Sequence, residues 1–345
     1  MDLYQTQLYS IATQPLPWER LENKTILISG ATGMVGTCLI DLLMLKNRLS
    51  HSHMHVIALS RKEEVARERF KEYWNSEEFV YFQCDINQGI PECAKVDFVI
   101  HAASNTHPKQ YAGDPIGTIA SNIIGTKNLL DCAVKHHAEE FCFLSSVEVY
   151  GENRGDVERF SEEYLGYLDC NTLRAGYPES KRVGEALCNA YGEVYELPYV
   201  IPRLSRLYGP TMLASDTKAI SQFIRKSAAE ENIVLKSEGN QKYSYTFVTD
   251  AVNAVLYIML LGENGEAYNI ADKQSDIELR ELAAILAGIA KKEVVFELPE
   301  ESERKGYSTA TKAMLNADKL EALGWSAGVH LPEGLRCTVE HLRAD

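Results

Sequence analysis

Three observations predict a doubly wound α/β fold, a Rossmann-type parallel sheet with a smaller mixed α/β lobe at its C-terminal end. Short apolar runs alternate with helical patterns over the first two thirds of the 345 residues, the texture of a parallel sheet covered by helices on both faces. The first run, TILIS, passes through GATGMVG into the helical TCLIDLLMLKN, so a glycine-rich turn joins a buried strand to a helix N-terminus. From about Pro210 the pattern changes to shorter strands and helices, which suits a small lobe closing over the carboxyl edge of a sheet.

In chain order, TILIS and HVIALS read as strands followed by the helices MVGTCLIDLLMLKN and KEEVARERFKEYW. FVYFQCD, DFVIHAAS, FCFLSS and YVIPRLS continue the sheet, with one helix from about Ile116 to His137 and another starting near Tyr177. In RKEEVARERFKE, Glu63 stands four residues before Arg67, the mark of a solvated helix face. The later part reads KAISQFIRKSAAE, NIVLK, YSYTFV, AVNAVLYIML, EAYNIA, ELRELAAILAGIA, EVVFEL, NADKLEALGW and LPEGLRCTVEHL, with no repeat or low-complexity linker between the halves. These patterns divide the chain into an N-terminal arm (1–24), a dinucleotide-binding domain (25–209) and a mainly substrate-binding lobe (210–345) whose strands and helices are free to return to the sheet.

A formal charge of -14 argues against nucleic acid or an anionic membrane as partner, since either polyanion is repelled overall. The N-terminal MDLYQTQLYSIATQPLPWERLENK has no apolar signal-peptide core, and runs such as AVNAVLYIMLLG are too short and polar to span a bilayer. A soluble cytoplasmic protein is expected. The eight cysteines include no C-x-x-C pair and sit mostly in apolar runs, which suits free buried thiols better than disulfides or zinc. The alternating histidines of HSHMH read either as a metal site on an extended segment or as a loop entering a strand; without a nearby acidic or cysteine partner the loop is preferred, and no metal is expected.

Gly30, Gly33 and Gly36 of the glycine turn allow a tight turn, close approach of a pyrophosphate and close packing of strand on helix, while the helix N-terminus supplies oriented N–H donors. The second strand ends Leu59-Ser60-Arg61. A carboxylate there would hold the ribose 2′-hydroxyl of NAD; Ser60 and Arg61 instead leave room and positive charge for a 2′-phosphate, favouring NADP over NAD. Further on, RAGYPESKR places Tyr177 and Lys181 four residues apart on one helical face, with Pro178 suited to the first turn.

GATGMVG, Asp85-Ile86 after the third strand, HAAS at 101–104, NIIGTKNLL at 122–130, SSVEVYG at 145–151, Tyr177-x-x-x-Lys181 and RLYGP at 206–210 occur in one order. In these the chain resembles the extended short-chain dehydrogenase/reductase family, and within it the NAD-dependent epimerase/dehydratase group of nucleotide-sugar epimerases, 4,6-dehydratases and UDP-glucuronate decarboxylases. The resemblance runs from about residue 24 to the end. It implies that Gly30, Thr32, Gly33, Met34, Val35 and Gly36 line a pyrophosphate, Asp85 and Ile86 the adenine, and Ala102, Ala103 and Ser104 the nicotinamide side, with Asn122 among the cofactor contacts. Tyr177 would take a proton from a sugar hydroxyl as hydride leaves the same carbon, Lys181 would hold the nicotinamide ribose and lower the phenol, and Ser146 would bridge the phenol and the reacting oxygen. Bringing a phenol from near 10 to neutrality needs about 4 kcal/mol of preferential stabilisation of the phenolate. A homodimer through the 116–137 and Tyr177 helices is likewise implied.

Departures from the group's patterns bear on the reaction. The 4,6-dehydratases carry Thr-Asp-Glu where this chain has Ser146-Val147-Glu148, so the acid that protonates a leaving hydroxyl is missing. Glu148 is either a proton shuttle or a supporting carboxylate. Arg206 stands where an asparagine is usual before x-Y-G-P, and Tyr243 where an arginine is usual. Arg206 is then either a relocated phosphate clamp or half of an internal salt bridge, for instance to Glu148. The expected function is an NAD(P)-dependent modification of a nucleotide-linked sugar through a keto intermediate. The alternatives are an NADPH-dependent ketoreductase of a keto sugar or sugar phosphate, and a non-catalytic dinucleotide sensor, which the retention of tyrosine, lysine and serine disfavours.

Overall fold

The computed structural model describes residues 2–104, 106, 113–297 and 311–344. Its main sheet is built from β1 (Thr25–Ser29), β2 (His55–Ser60), β3 (Phe79–Gln83), β4 (Phe98–His101), β5 (Glu140–Phe143), the short β6 (Ser145–Ser146), β7 (Tyr199–Leu204) and β11 (Ala267–Ile270). They lie in the order β11-β7-β5-β4-β1-β2-β3, with β6 beside β7, and every pairing is parallel. Ile26 of β1 sits between Val56 and Phe98. Both faces of β1 are covered, which is why TILIS is apolar throughout rather than alternating.

On one face lie α1 (Leu3–Ala12), α2 (Met34–Ser50) and α7 (Val248–Leu261), burying Leu8, Ile11, Leu39, Leu43, Val252 and Leu256 against Ile26, Ile28 and Ile100. On the other, α4 (Pro115–Lys135) and α5 (Gly176–Tyr195) pack on each other and bury Leu129, Leu130 and Cys188 against Leu27, Val99, Phe141 and Phe143. Residues 1–24 are more than an arm. Asp2 caps α1 by accepting from the Gln5 amide at 2.8 Å, Tyr4 donates to Asp41 of α2 at 2.7 Å, and Trp18 and Leu21 are buried in the same core.

The smaller lobe is centred on β10 (Lys242–Phe247), flanked by β8 (Arg206–Tyr208), β12 (Asp276–Glu278) and β14 (Lys312–Ala313). Helices α6 (Ala219–Ala228), α8 (Leu279–Ala290) and α10 (Leu331–Ala344) cover a second core that includes Phe223, Ile224, Tyr245, Phe247, Leu286 and Leu335. Two later segments return to the main sheet: β11 pairs with β7, and α7 lies in the first core. Conversely β8, which precedes residue 209, pairs with β10 of the lobe.

The helix expected over KEEVARERFKEYW is α3 (Glu63–Arg69) alone. The helix ends at Phe70, and the Phe70, Tyr73 and Trp74 rings gather around Phe79 with centroids at 5.3, 6.4 and 6.1 Å. In HSHMH, His51 and His53 take positive φ in a loop and His55 opens β2, as the loop reading expects. Of the cysteines, 38, 84, 132, 142 and 188 are buried while Cys170 is exposed. No described helix is long and apolar enough to cross a membrane.

Candidate active site

The carboxyl ends of β1, β2, β4 and β6 bring the expected residues to one edge of the sheet. At the end of β1, Gly30 has φ +68, and a Cβ there would lie 2.6 Å from the Ala103 backbone. Only glycine lets the turn run against the β4 loop this closely. Gly33 is the N-cap of α2 and no side chain caps that helix, so the first-turn amides are left to an external acceptor. Thr32, Met34 and Val35 are half-buried around the turn, and Gly36 is buried beneath it. The cradle fits a dinucleotide pyrophosphate.

Ser60 ends β2 with its hydroxyl 3.2 Å from the Tyr81 hydroxyl, and Arg61 is exposed beside it. Asp85 is exposed after β3; Ile86 is buried and its carbonyl accepts from Asn128 at 2.7 Å. Ala102 and Ala103 are fixed by their amides, which donate to the Ser29 carbonyl at 3.2 Å and the Ser29 hydroxyl at 3.3 Å. Ser104 donates to Asn122 Oδ1 at 2.7 Å, and Asn122 Nδ2 donates to Ser180 at 2.9 Å. Asn122, expected among the cofactor contacts, therefore has both ends of its amide engaged inside the protein and meets the site through Ser104.

Tyr177 and Lys181 lie on the buried face of α5. Gly184 lets that face come down on β5, since a Cβ there would lie 2.3 Å from the Phe143 ring. The Tyr177 hydroxyl is within hydrogen-bonding reach of Ser146 and Ser104; burial pushes the phenol up to about 12, the Ser146 and Ser104 hydroxyls oppose the rise and the Glu148 carboxylate adds to it. Burial brings Lys181 down to about 8, with Glu185 pulling the other way. Lys181, expected to lower the phenol, directs its ammonium to the backbone just after β5. The ammonium donates to the Leu144 carbonyl at 2.6 Å and rests 4.6 Å from the Phe143 ring centre, and burial dominates the phenol.

Glu148 lies on the 3₁₀ turn Val147–Tyr150, whose start is fixed by its amide donating to Ser146 Oγ at 3.3 Å. Arg206 approaches from the lobe: Nη1 is 3.7 Å from Glu148 Oε1 and the guanidinium carbon is 3.7 Å from the Tyr243 ring centre. The salt bridge weighed from the sequence is thus present at long range, and the two residues that depart from the group's pattern stack on one another.

The sequence reading passed over the groups that hold this edge in place. Arg203 forms a two-pronged pair with Glu185 at 3.0 and 2.6 Å, and Ser145 donates to the same carboxylate at 2.5 Å. Arg182 donates to the carbonyls of Val149 and Gly166, both at 2.7 Å, tying α5 to the turn that bears Glu148. His101 is buried between Ser29 at 2.8 Å and Thr126 at 3.0 Å, and is held well below the usual histidine range by burial and by Lys181. Arg182 and Glu185 share the helix with Tyr177 and His101 opens HAAS, but their partners lie in other elements, 16 or more residues away in sequence.

A family described as NAD dependent epimerase/dehydratase matches residues 26–271. UDP-glucuronic acid decarboxylase 1 of Xenopus tropicalis is 30% identical over 327 residues, 94% of this chain and 73% of the relative. Human dTDP-D-glucose 4,6-dehydratase is 26% identical over 334 residues, 93% of this chain and 90% of the relative. The solved UDP-glucuronic acid 4-epimerase from Bacillus cereus, in complex with UDP-glucuronic acid and NAD, has a TM-score of 0.79 at 20% identity, covering 93% of this chain and 99% of that one. That last likeness is one of fold.

The geometry around Arg206 sets its structural weight. A long, partly exposed ion pair and one ring contact together contribute about 1–2 kcal/mol. Arg206→Ala should lower the unfolding free energy by about that amount in a urea titration, and a loss above about 4 kcal/mol would mark Arg206 as a main support of the lobe.

Proposed function

The chain belongs to the NAD-dependent epimerase/dehydratase family, and within it we propose an enzyme that modifies a nucleotide-linked sugar through a keto intermediate. The observation that supports this most is the buried Tyr177 phenol with Ser146 beside it, at the sheet edge above the Gly30 turn. A bound dinucleotide supplies a reversible hydride acceptor there. The chain's residues do the rest. Gly30, Thr32, Gly33, Met34, Val35 and Gly36 bind the pyrophosphate; Ser60, Arg61, Asp85 and Ile86 surround the adenosine; Ala102, Ala103 and Ser104 border the nicotinamide. Tyr177 exchanges a proton with a sugar hydroxyl, Ser146 orients that hydroxyl and Lys181 holds the ribose. Glu148, whose charge acts on the Tyr177 phenol from the 147–150 turn, serves as a proton shuttle or a supporting carboxylate.

For the substrate, we propose a sugar nucleotide with an anionic group, of which UDP-glucuronic acid, named for two of the similar proteins, is the leading candidate. Arg206, stacked on Tyr243 and facing Glu148, is the cation placed to meet the substrate's phosphate or carboxylate. Nothing observed favours net ketoreduction or a purely sensing role.

Two finer proposals concern cofactor and assembly. NADP(H) is accepted at least as tightly as NAD(H), because the end of β2 offers Ser60 and Arg61 and no carboxylate. The chain forms a homodimer through α4 and α5, supported by the exposed Ile116, Ile124, Val183 and Val194 on those helices; light scattering at micromolar protein should return twice the chain mass, and a monomer would reject it.

With an identified substrate, Tyr177→Phe should keep cofactor affinity and remove all but a trace of turnover, a loss of about a hundredfold or more. Near-native turnover would exclude the acid/base role. Arg206→Ala should raise KM about tenfold or more beyond any stability effect; an unchanged KM would leave Arg206 a structural residue only. Calorimetric titration with both dinucleotides tests the cofactor proposal, and a clear NAD preference unaltered by Arg61→Ala would reject it.

A further inference from the structure

The stretch between β8 and α6, residues 209–218, reaches the dinucleotide cradle at two points. Lys218 Nζ donates to Thr106 Oγ1 at 3.3 Å, just beyond Ser104. Thr211 is buried and donates through Oγ1 to the Met34 carbonyl at 2.9 Å, joining the smaller lobe to the first turn of α2. Met34 itself is half-buried against both hydrophobic cores.

Thr211 is also held from its backbone. Its carbonyl accepts at 3.2 Å from Nη1 of Arg69, the last residue of α3, and the same nitrogen donates to Thr37 Oγ1 at 3.3 Å. Nη1 carries two protons, so it serves both acceptors at once. Thr37 in turn donates to the Ala31 carbonyl at 3.3 Å. The clasp thus ends on two carbonyls, Ala31 and Met34, on either side of Thr32 and Gly33. Each carbonyl shares a peptide unit with the next N–H along the chain, Thr32 for Ala31 and Val35 for Met34. A donor on the carbonyl polarises that unit and strengthens its N–H as a donor. Val35 is the second residue of α2, where an N–H has no acceptor within the helix, and a pyrophosphate at this end is the acceptor such an N–H suits.

We propose that Thr211, held by Arg69, is a positioning residue for the dinucleotide contributed by the smaller lobe, so that filling the glycine turn seats the lobe on the main sheet. This goes beyond the sugar chemistry proposed above and rests only on the dinucleotide site within it. Its consequence for that chemistry is one of order. Arg206 lies on β8, the strand that leads into Thr211 and pairs with β10, so the cation offered to a sugar nucleotide is drawn into place when dinucleotide is present. By linkage, a lobe already seated raises dinucleotide affinity by the same factor.

Hydrogen exchange read by mass spectrometry on the full chain, with and without saturating NAD and with NADP in parallel, tests the coupling. In the native protein dinucleotide should slow exchange at the glycine turn, over 29–37, and also in the lobe, over 206–218 and 242–247. Thr211→Val removes the hydroxyl at nearly constant volume; it should keep the first effect, lose the second and weaken dinucleotide binding about fivefold by calorimetry. Thr211→Ser should restore both. Arg69→Met should act as Thr211→Val does, and it keeps the test open if the valine variant folds poorly. Binding of neither dinucleotide, no lobe protection in the native protein, or lobe protection that survives in both Thr211→Val and Arg69→Met would overturn the proposal. Sugar turnover is no part of this readout. Coupled protection in a protein that converts no nucleotide sugar would sink the proposed function and leave this inference standing, and turnover without coupled protection would do the reverse.

Discussion

At the end of β1 the chain turns with φ +68, and a side chain at residue 30 would meet the Ala102–Ala103 backbone at 2.6–2.7 Å; the ends of β1 and β4 meet there only because residue 30 has no Cβ. That approach sits where neighbours of β1 lead away in opposite directions, β2 on one side and β4 on the other, the crevice at which open α/β sheets bind ligands. From it follow the uncapped N-terminus of α2, the amides of Ala102 and Ala103 turned toward Ser29, and Ser104 delivered to the tyrosine. A bulkier turn would separate the Gly30–Gly36 turn from Tyr177 and Ser146.

The second constraint is burial. Tyr177 and Lys181 are both enclosed between α5 and the sheet, and enclosure moves the phenol up and the ammonium down, the directions expected when low dielectric disfavours each charged form. Hydrogen bonds meet both groups there: Leu144 accepts from Lys181, and Ser146 and Ser104 lie within reach of the phenol, Ser104 also donating to Asn122. Around this core the Arg203–Glu185 pair and the Arg182 clasp hold the turn that carries Glu148. Such groups are stiff because each donor left unpaired here would cost about 1–3 kcal/mol.

Much of this was legible in the sequence because the signals are local. TILIS-GATGMVG gives strand, turn and helix within a dozen residues, and Tyr177-x-x-x-Lys181 depends only on helical spacing. The shortened α3 was not legible: the apolar residues of FKEYW suit a helical face equally well, and they pack on Phe79 of a strand nine residues on from Phe70. Nor could spacing reveal that Asn122 turns inward to Ser104 and Ser180, that Arg206 stacks on Tyr243, or that β11 returns to the sheet. Those facts depend on pairings between elements that lie far apart in the chain.

The central claim, hydride removed from a sugar and handled within one site, is tested most directly by following nucleotide sugars and dinucleotide together. UDP-glucuronic acid, UDP-glucose and dTDP-glucose are each incubated with the full chain and NAD, with the sugars read by mass and NMR and the dinucleotide by absorbance. The account predicts that one of them is converted to an epimer, or to a product that has lost water or carbon dioxide, over many turnovers for each dinucleotide consumed. Failure to convert any of them while dinucleotide is bound, or conversion only in step with stoichiometric consumption of reduced dinucleotide, would contradict it.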